Sequence, residues 1–107
     1  MQVGRMGTVH QHVEINNRFG LHTRPVGEVA RIAYEFDAIV AYHKGARIAH
    51  AHSVMELLAL GACQGERLKV TAMGHDAEQA LAAIVGYSTS YSDDLTPSEG
   101  DTSTEAA

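Results

Sequence analysis

Cysteine is nearly absent from this sequence, since Cys63 is the only one among 107 residues. A single thiol cannot form an intramolecular disulfide, and it cannot supply a cysteine-based metal site. Two histidine pairs, at 10 and 12 and at 50 and 52, have the i, i+2 spacing of strand residues. No third ligand is evident beside either pair, so we expect exposed strand histidines, with no bound metal and no cofactor.

Long apolar runs are also missing. No stretch approaches the roughly 18 apolar residues of a membrane span, and the N-terminal MQVGRMGTVH lacks the apolar core of a signal peptide. We therefore expect a cytoplasmic protein that does not enter a membrane. With 45% hydrophobic and 20% charged residues, the chain is typical of one soluble globular domain. A domain this small is expected to do its chemistry at the surface, together with a partner.

Basic residues are absent from the C-terminal segment 93–107, which carries five acids. The whole chain has 13 acidic and 8 basic residues, so the remainder is balanced at eight of each. A neutral body lacks the basic surface of a nucleic-acid-binding protein, and the strands lack aromatic residues for stacking on bases. We expect residues 89–107 to be an acidic disordered tail, because they cannot bury enough apolar surface to offset the ordering cost.

Hydrophobic periodicity predicts seven elements in the order β-α-β-β-α-β-α. Strands are predicted where apolar residues alternate, and helices where they recur every three or four residues. The predicted strands are 8–15, 38–43, 46–51 and 66–73, and the helices begin near Pro25, Ser53 and Asp76. Each helix has one apolar stripe, which suits one sheet face. We predict an α+β fold over residues 8–88, an open-faced two-layer sandwich with a four-stranded sheet and three helices on one face.

Two helix starts have the spacing of a capping box. Ser53 is followed three residues later by Glu56, and Asp76 is followed three residues later by Gln79. In this motif the first side chain accepts from the backbone N–H at the third helical position, and the acidic or amide side chain reaches back. Gly61 is a suitable stop for the helix that begins after Ser53.

The hexapeptide GLHTRP at residues 20–25 is the strongest chemical signal. Unpaired N–H groups and the macrodipole make a helix N-terminus an anion site. Thr23 and Arg24 would offer N–H groups there, and the Arg24 guanidinium suits phosphate. The dipole also favours the neutral, nucleophilic form of an imidazole, so His22 could accept a phosphoryl group.

The other residues of the hexapeptide have backbone roles. Gly20 permits an unusual backbone conformation that could turn the imidazole outward, and Pro25 fits a first helical turn, where its missing N–H costs nothing. The alternative interpretation is a helix cap without further function. Histidine is a poor N-cap and arginine opposes the dipole at this end, but physical reasoning alone leaves both interpretations open.

Taken together, the motifs make the sequence resemble the HPr family, the histidine-containing phosphocarrier proteins of the bacterial sugar phosphotransferase system. Gly-Leu-His-x-Arg-Pro matches in full at 20–25, HSVMELLALG at 52–61 matches a second signature, and GHDAEQALAAIV at 74–85 resembles the third helix and its entry. The resemblance spans about residues 8–88. It implies an antiparallel sheet and a carrier that is not itself an enzyme.

The resemblance also implies roles for individual residues. His22 would take phosphate on Nδ1 from the phosphoenolpyruvate-dependent first enzyme and pass it to a histidine of a second component. Arg24, with Thr23, would bind the phosphoryl group. Val54, Met55 and Leu58 would form an apolar docking patch for these partners.

Ser53 resembles the regulatory phosphorylation site of some branches, which would add a serine kinase and a phosphorylase to the partners. Other positions depart from the family pattern. Phe19 replaces a frequent polar residue, His52 replaces a common lysine, and Glu56 stands where glycine or a basic residue is frequent. The last two make the docking surface more acidic.

Two outputs stay open at this point. The chain could be a carrier for sugar uptake, or a regulatory relay with a nitrogen-type or kinase-controlled output and no sugar permease. A nucleic-acid-binding module is disfavoured by the neutral body.

Overall fold

A computed structural model of the chain describes residues 7–16, 20 and 23–90. The elements are β1 (Thr8–Glu14), α1 (Thr23–Ala33), β2 (Ile39–Lys44), β3 (Arg47–His50), α2 (Val54–Leu60), β4 (Arg67–Met73) and α3 (Ala77–Ser90). The strands form one antiparallel sheet in the order β1-β4-β2-β3. The predicted fold class and element order are confirmed. No helix in the described part of the chain is long and apolar enough to cross a membrane.

The core lies between one face of the sheet and the three helices. Alternate strand residues point into it, because successive side chains of a strand lie on opposite faces. Helix α3 packs on β1, β4 and β2, and α2 packs on β3. The largest fully buried side chains are Tyr42, Leu57, Leu68, Ile84, Val26, Val29 and Val70.

Helix α3 extends two residues beyond the predicted domain boundary at residue 88, to Ser90. Ser88 contributes to this packing, since its Oγ lies 3.0 Å from the hydroxyl oxygen of Tyr42. Tyr42 is fully buried on the covered face of β2, and burial raises the pKa of its phenol to about 12. The hydrogen bond satisfies a polar group that would otherwise be costly to bury. Residues 91–107 of the predicted tail lie outside the described residues.

The predicted capping box between Asp76 and Gln79 is not observed, and both Asp76 carboxylate oxygens have other partners. Oδ2 accepts a 2.8 Å hydrogen bond from the Asp37 backbone N–H, and Oδ1 lies 3.0 Å from His75 Nδ1. The Asp76 N–H in turn donates to the Asp37 carbonyl. Asp76 therefore joins the start of α3 to the connection between α1 and β2.

This contact predicts a pH-dependent contribution to stability. The Asp37 N–H, and then His75, lower the pKa of Asp76. A lowered folded-state pKa stabilises the fold above the ordinary aspartate pKa, and this contribution is lost as the pH falls through the folded value. Asp76→Asn should therefore be less stable than wild type at pH 7, and the gap should narrow by pH 3. Urea unfolding at both pH values measures this, and an unchanged gap would contradict it.

Candidate functional site

The predicted phosphoacceptor His22 lies outside the described residues, as do Phe19 and its neighbours 17, 18 and 21. Helix α1 begins at Thr23, directly after His22 and two residues earlier than predicted from Pro25. Arg24 is exposed in its first turn, and Pro25 is buried there. Helix α1 thus begins at the residue that follows His22 in the sequence, and a helix N-terminus is suited to anion binding.

Gly20, the first residue of the motif at 20–25, is buried and packs against the connection between α2 and β4. Its φ of 68° lies in the left-handed region. A Cβ at this position would lie 2.3 Å from the Ala62 carbonyl oxygen and 3.0 Å from Cys63 Cα. No side chain can occupy that space, so the motif requires glycine for close backbone approach as well as for its conformation.

Backbone and side-chain hydrogen bonds join the same connection to the end of β1. The Ile15 N–H donates to the Glu66 carbonyl at 2.9 Å, and the Gly65 N–H donates to the Ile15 carbonyl at 2.7 Å. Gln64 Nε2 donates to the Asn16 carbonyl at 3.0 Å. The chain that leads into residues 17–19 is therefore held by the segment that Gly20 contacts.

Glu66 organises this connection internally. Its Oε1 accepts a 2.7 Å hydrogen bond from the Cys63 N–H and lies 3.2 Å from Lys44 Nζ. The Cys63 N–H, and then Lys44, lower the pKa of Glu66. Lys44 Nζ also donates to the Gly61 carbonyl at 2.9 Å. Cys63 is exposed, and it contributes to the connection through both its backbone N–H, which donates to Glu66, and its thiol, which lies 3.5 Å from the Gly61 carbonyl oxygen.

Helix α2 begins and ends as predicted. The Glu56 N–H donates to Ser53 Oγ at 3.2 Å, which confirms Ser53 as the N-cap. Gly61 closes the helix in the left-handed conformation, and its N–H donates to the Leu58 carbonyl. Ala62 follows directly and meets Gly20. Helix α2 therefore ends close to Gly20, the first residue of the motif at 20–25.

Only half of the predicted capping box at Ser53 is present. The Ser53 N–H donates to the His50 carbonyl, so it does not need the Glu56 side chain. Glu56 Oε1 instead accepts from the His50 N–H at 2.8 Å and lies 2.9 Å from His50 Nδ1. These contacts lower the pKa of Glu56, with the backbone hydrogen bond as the largest cause. The acidic residue that departs from the family pattern thus anchors the end of β3 to α2.

The three predicted docking residues differ in exposure. The Met55 side chain is 76% exposed and Leu58 is 37% exposed, whereas Val54 is partly buried against the core. Leu57 and Leu60 of the same helix are buried. Met55 and Leu58 can therefore meet a partner without disturbing the core, and they precede Gly61 by at most six residues, or about 9 Å of helix.

An exposed aromatic cluster adjoins the start of α2, and sequence reasoning missed it. Tyr34 is 72% exposed just after α1 ends. Its ring centroid lies 5.8 Å from that of His52, which lies 5.6 Å from that of His50. The sequence does carry a signal for this exposure, because Tyr34 lies outside the apolar stripe of α1. His52 lies in a turn after β3 and not on a strand face as predicted.

The geometry at Ser53 gives a testable expectation. Ser53→Ala should destabilise the protein by about 1 kcal/mol, the usual cost of a lost cap. Ser53→Asp should preserve stability, since aspartate also caps and its charge suits a helix N-terminus. The aspartate should nevertheless weaken partner docking, because Met55 lies beside it. Urea unfolding and phosphorylation rates against carrier concentration separate the two effects. Equal rates for wild type and Ser53→Asp at low concentration would contradict the second.

Comparisons with known proteins agree on one family. The family model for the PTS HPr component phosphorylation site matches residues 9–89. Phosphocarrier protein NPr of Escherichia coli K12 is 38% identical over 79 residues, covering 73% of this chain and 88% of that protein. The multiphosphoryl transfer protein of Salmonella typhimurium is 37% identical over 73 residues, covering 65% of this chain and 19% of that protein.

Solved structures show the same relationship. The phosphocarrier protein HPr from Bacillus anthracis superposes with a TM-score of 0.72 at 29% identity, covering 77% of this chain and 98% of that chain. HPr from Thermoanaerobacter tengcongensis superposes with a TM-score of 0.73 at 33% identity, covering 77% and 92%.

Proposed function

We propose that His22 carries the phosphoryl group of this chain, which belongs to the HPr family of phosphotransferase-system phosphocarrier proteins. Proteins of this family carry phosphate and are not enzymes. The observation that supports the proposal is that α1 begins at Thr23, the residue after His22 in the sequence, while Gly20 packs against the backbone of Ala62 and Cys63. This arrangement offers an imidazole nucleophile together with the free N–H groups of a helix.

The proposed reaction moves one phosphoryl group between imidazoles. Neutral His22 attacks the phosphorus of a phosphohistidine on the phosphoenolpyruvate-dependent first enzyme. A nitrogen–phosphorus bond forms on His22 as the bond to the donor nitrogen breaks. The donor imidazole takes up one proton as it leaves, and His22 loses one proton from its other ring nitrogen, so both rings are neutral before and after the transfer. The helix N–H groups at Thr23 and Arg24, with the Arg24 guanidinium, stabilise the transferred charge. Phosphorylated His22 then acts as the donor, and a histidine of the second component takes the phosphoryl group from it by the same kind of attack.

Partner docking is proposed to use α2. Met55 and Leu58 present apolar surface on a helix that ends against the loop containing Gly20. A partner seated on these residues would bring its own histidine toward His22. Glu56 and the exposed aromatic ring of Tyr34 make the border of this surface acidic and aromatic rather than basic. We propose that these border residues select among the partners.

A regulatory output is favoured over sugar uptake by one observation. The identity of 38% to NPr extends over 79 residues, and NPr belongs to the nitrogen-type relay. We therefore propose that the second component is a regulatory phosphoacceptor, and we keep the sugar-specific component as the second candidate. Phosphorylation of Ser53 by a serine kinase would be a further input, because that residue borders Met55.

The test is incubation with phosphoenolpyruvate and the first enzyme of the same organism, followed by intact mass and site mapping. One phosphoryl group should appear on His22, and it should be acid-labile and alkali-stable. His22→Ala should accept none. Label on another histidine, or none with an active donor, would refute the carrier function. Adding purified regulatory and sugar-specific second components to the phosphorylated chain then identifies the output by the rate at which each removes the label.

A further inference from the structure

No described element covers the face of the sheet opposite the helices. We call it the open face, and it is formed by the strand residues whose neighbours point into the core. These residues are Thr8, His10, His12 and Glu14 of β1, Arg67, Lys69, Thr71 and Met73 of β4, Ile39, Ala41 and His43 of β2, and Ile48 and His50 of β3. The face lies away from α1 and α2, so an inference about it is independent of the proposed phosphotransfer.

A row of basic groups crosses the open face. Lys69 pairs in register with His12 on one side and with His43 on the other. Lys69 is exposed and forms no ion pair with any residue in 7–16, 20 or 23–90. Groups of like charge placed directly opposite one another destabilise a sheet, unless an anion neutralises them. The row therefore lacks a counterion among the described residues.

The charge of the open face depends on pH. Arg67 and Lys69 are its cations, and Glu14, in register with Arg67, is its carboxylate. This leaves one net positive charge when the imidazoles of His10, His12, His43 and His50 are neutral, and each protonation adds one more. His50, at the end of β3, already has Glu56 of α2 as its carboxylate partner. Thr71 Oγ1 lies 3.0 Å from His43 Nε2, and β3 contributes the apolar Ile48 beside it. An anion bound here would favour the protonated imidazoles, because binding and protonation are linked.

We propose that the acidic C-terminal segment of this chain, residues 93–107, docks on the open face as its counterion. The segment carries five carboxylates and no basic residue. Three of these, Glu99, Asp101 and Glu105, lie far enough from Ser90 to complement the row of His12, Lys69 and His43. Docking strengthens as the imidazoles become protonated. The segment is tethered, so its effective concentration at the face is in the millimolar range, which a free acidic partner would have to match.

The tether is long enough to reach. Helix α3 ends at Ser90 on the covered side of the sheet, and Ser88 Oγ contacts Tyr42, whose register partner Val70 is next to Lys69. A path from there around the β1 edge to the open face is roughly 25 Å, given a layer spacing of about 10 Å and a strand spacing of about 4.8 Å. About eight extended residues span this distance. The carboxylates of Glu99, Asp101 and Glu105 lie beyond them.

The test is an NMR titration of all the histidines in the full chain and in the full-length variant E99Q/D101N/E105Q. At low salt, the pKa values of His10, His12 and His43 should be about 0.3–0.5 higher in wild type, a two- to threefold greater proton affinity. The difference should disappear near 0.5 M salt, where the Debye length is about 4 Å. Lys69→Gln in the full chain should make this pKa difference smaller, because it removes the central cation of the row.

His75 is the internal control, because it lies beside Asp76 at the start of α3 and not on the open face. Its pKa should be equal in the two proteins. Equal changes at His75 and at the open-face histidines would refute docking, since they would show only a general effect of net charge. No change at any histidine would refute it as well. Changes that grow with protein concentration would overturn the intramolecular proposal in favour of a second copy of the chain.

Discussion

Gly20→Ala should destabilise the protein by about 2–4 kcal/mol and sharply lower the rate of the phosphorylation that we propose for His22. The added Cβ would lie 2.3 Å from the Ala62 carbonyl oxygen, which is backbone and cannot rotate away. The φ of 68° adds a further cost for any residue with a Cβ. Relief requires Gly20 to move off the connection between α2 and β4, and His22 follows Gly20 by two residues in the sequence.

Gly27→Ala is the matched control for this change. Gly27 lies exposed within α1, and a Cβ there would meet no atom within 4 Å. Alanine should therefore stabilise the helix by about 0.5–1 kcal/mol, because it restricts the unfolded chain and has the higher helix propensity. Urea unfolding of both variants, with His22 phosphorylation measured under conditions where each is folded, gives the comparison. A Gly20→Ala protein as stable and as active as wild type would show that the close approach to Ala62 is not required.

Leu57→Ala should have the largest effect of any change in α2. Leu57 is 0% exposed and packs in the core between the helices and the sheet. Truncating a buried leucine typically costs about 2–5 kcal/mol, because the side chain loses its burial and leaves a cavity. This is a large fraction of the roughly 5–15 kcal/mol by which a small domain is stable. The midpoint of urea unfolding should fall accordingly, and partial unfolding at 37 °C would follow.

Met55→Ala on the same helix should change partner binding and leave stability nearly unchanged. With 76% of its side chain exposed, Met55 contributes little to packing, and the change in stability should stay within about 0.5 kcal/mol. If α2 is the docking surface, the apparent KM of the first enzyme for the carrier should rise, with little change in kcat. An unchanged KM would remove Met55 from the docking surface, and a large loss of stability would show that it packs in the fold.

Local sequence patterns predicted the fold because they depend on interactions between near neighbours. Alternation placed Leu68, Val70 and their equivalents on the covered face, and the Ser53 cap needs only the N–H three residues later. Gly61 closes α2 in the left-handed conformation that its residue type favours. The motif at 20–25 and its resemblance to the HPr family were likewise readable without coordinates, and the family comparisons confirmed the resemblance.

Tertiary contacts decided which partner each polar side chain uses. Asp76 had the spacing for a cap with Gln79, but the fold brings the Asp37 N–H to its carboxylate across 39 positions of sequence. Glu56 had the spacing to reach back to the Ser53 N–H, which the His50 carbonyl already satisfies. Leaving a backbone N–H without a partner costs more free energy than a second cap hydrogen bond contributes. The carboxylates therefore bind the distant N–H groups rather than completing the capping boxes.

The requirement for glycine at position 20 also has one part that the sequence determines and one part that only the tertiary structure decides. The sequence by itself determined that an unusual backbone was permitted there, since glycine adopts a positive φ at little cost. Only the tertiary structure showed that the Ala62 carbonyl lies where a Cβ would be. That contact joins residues 42 positions apart, and its position follows from how α2 packs beside α1. No periodicity or local propensity encodes such a distance, because it depends on the summed packing of the whole core.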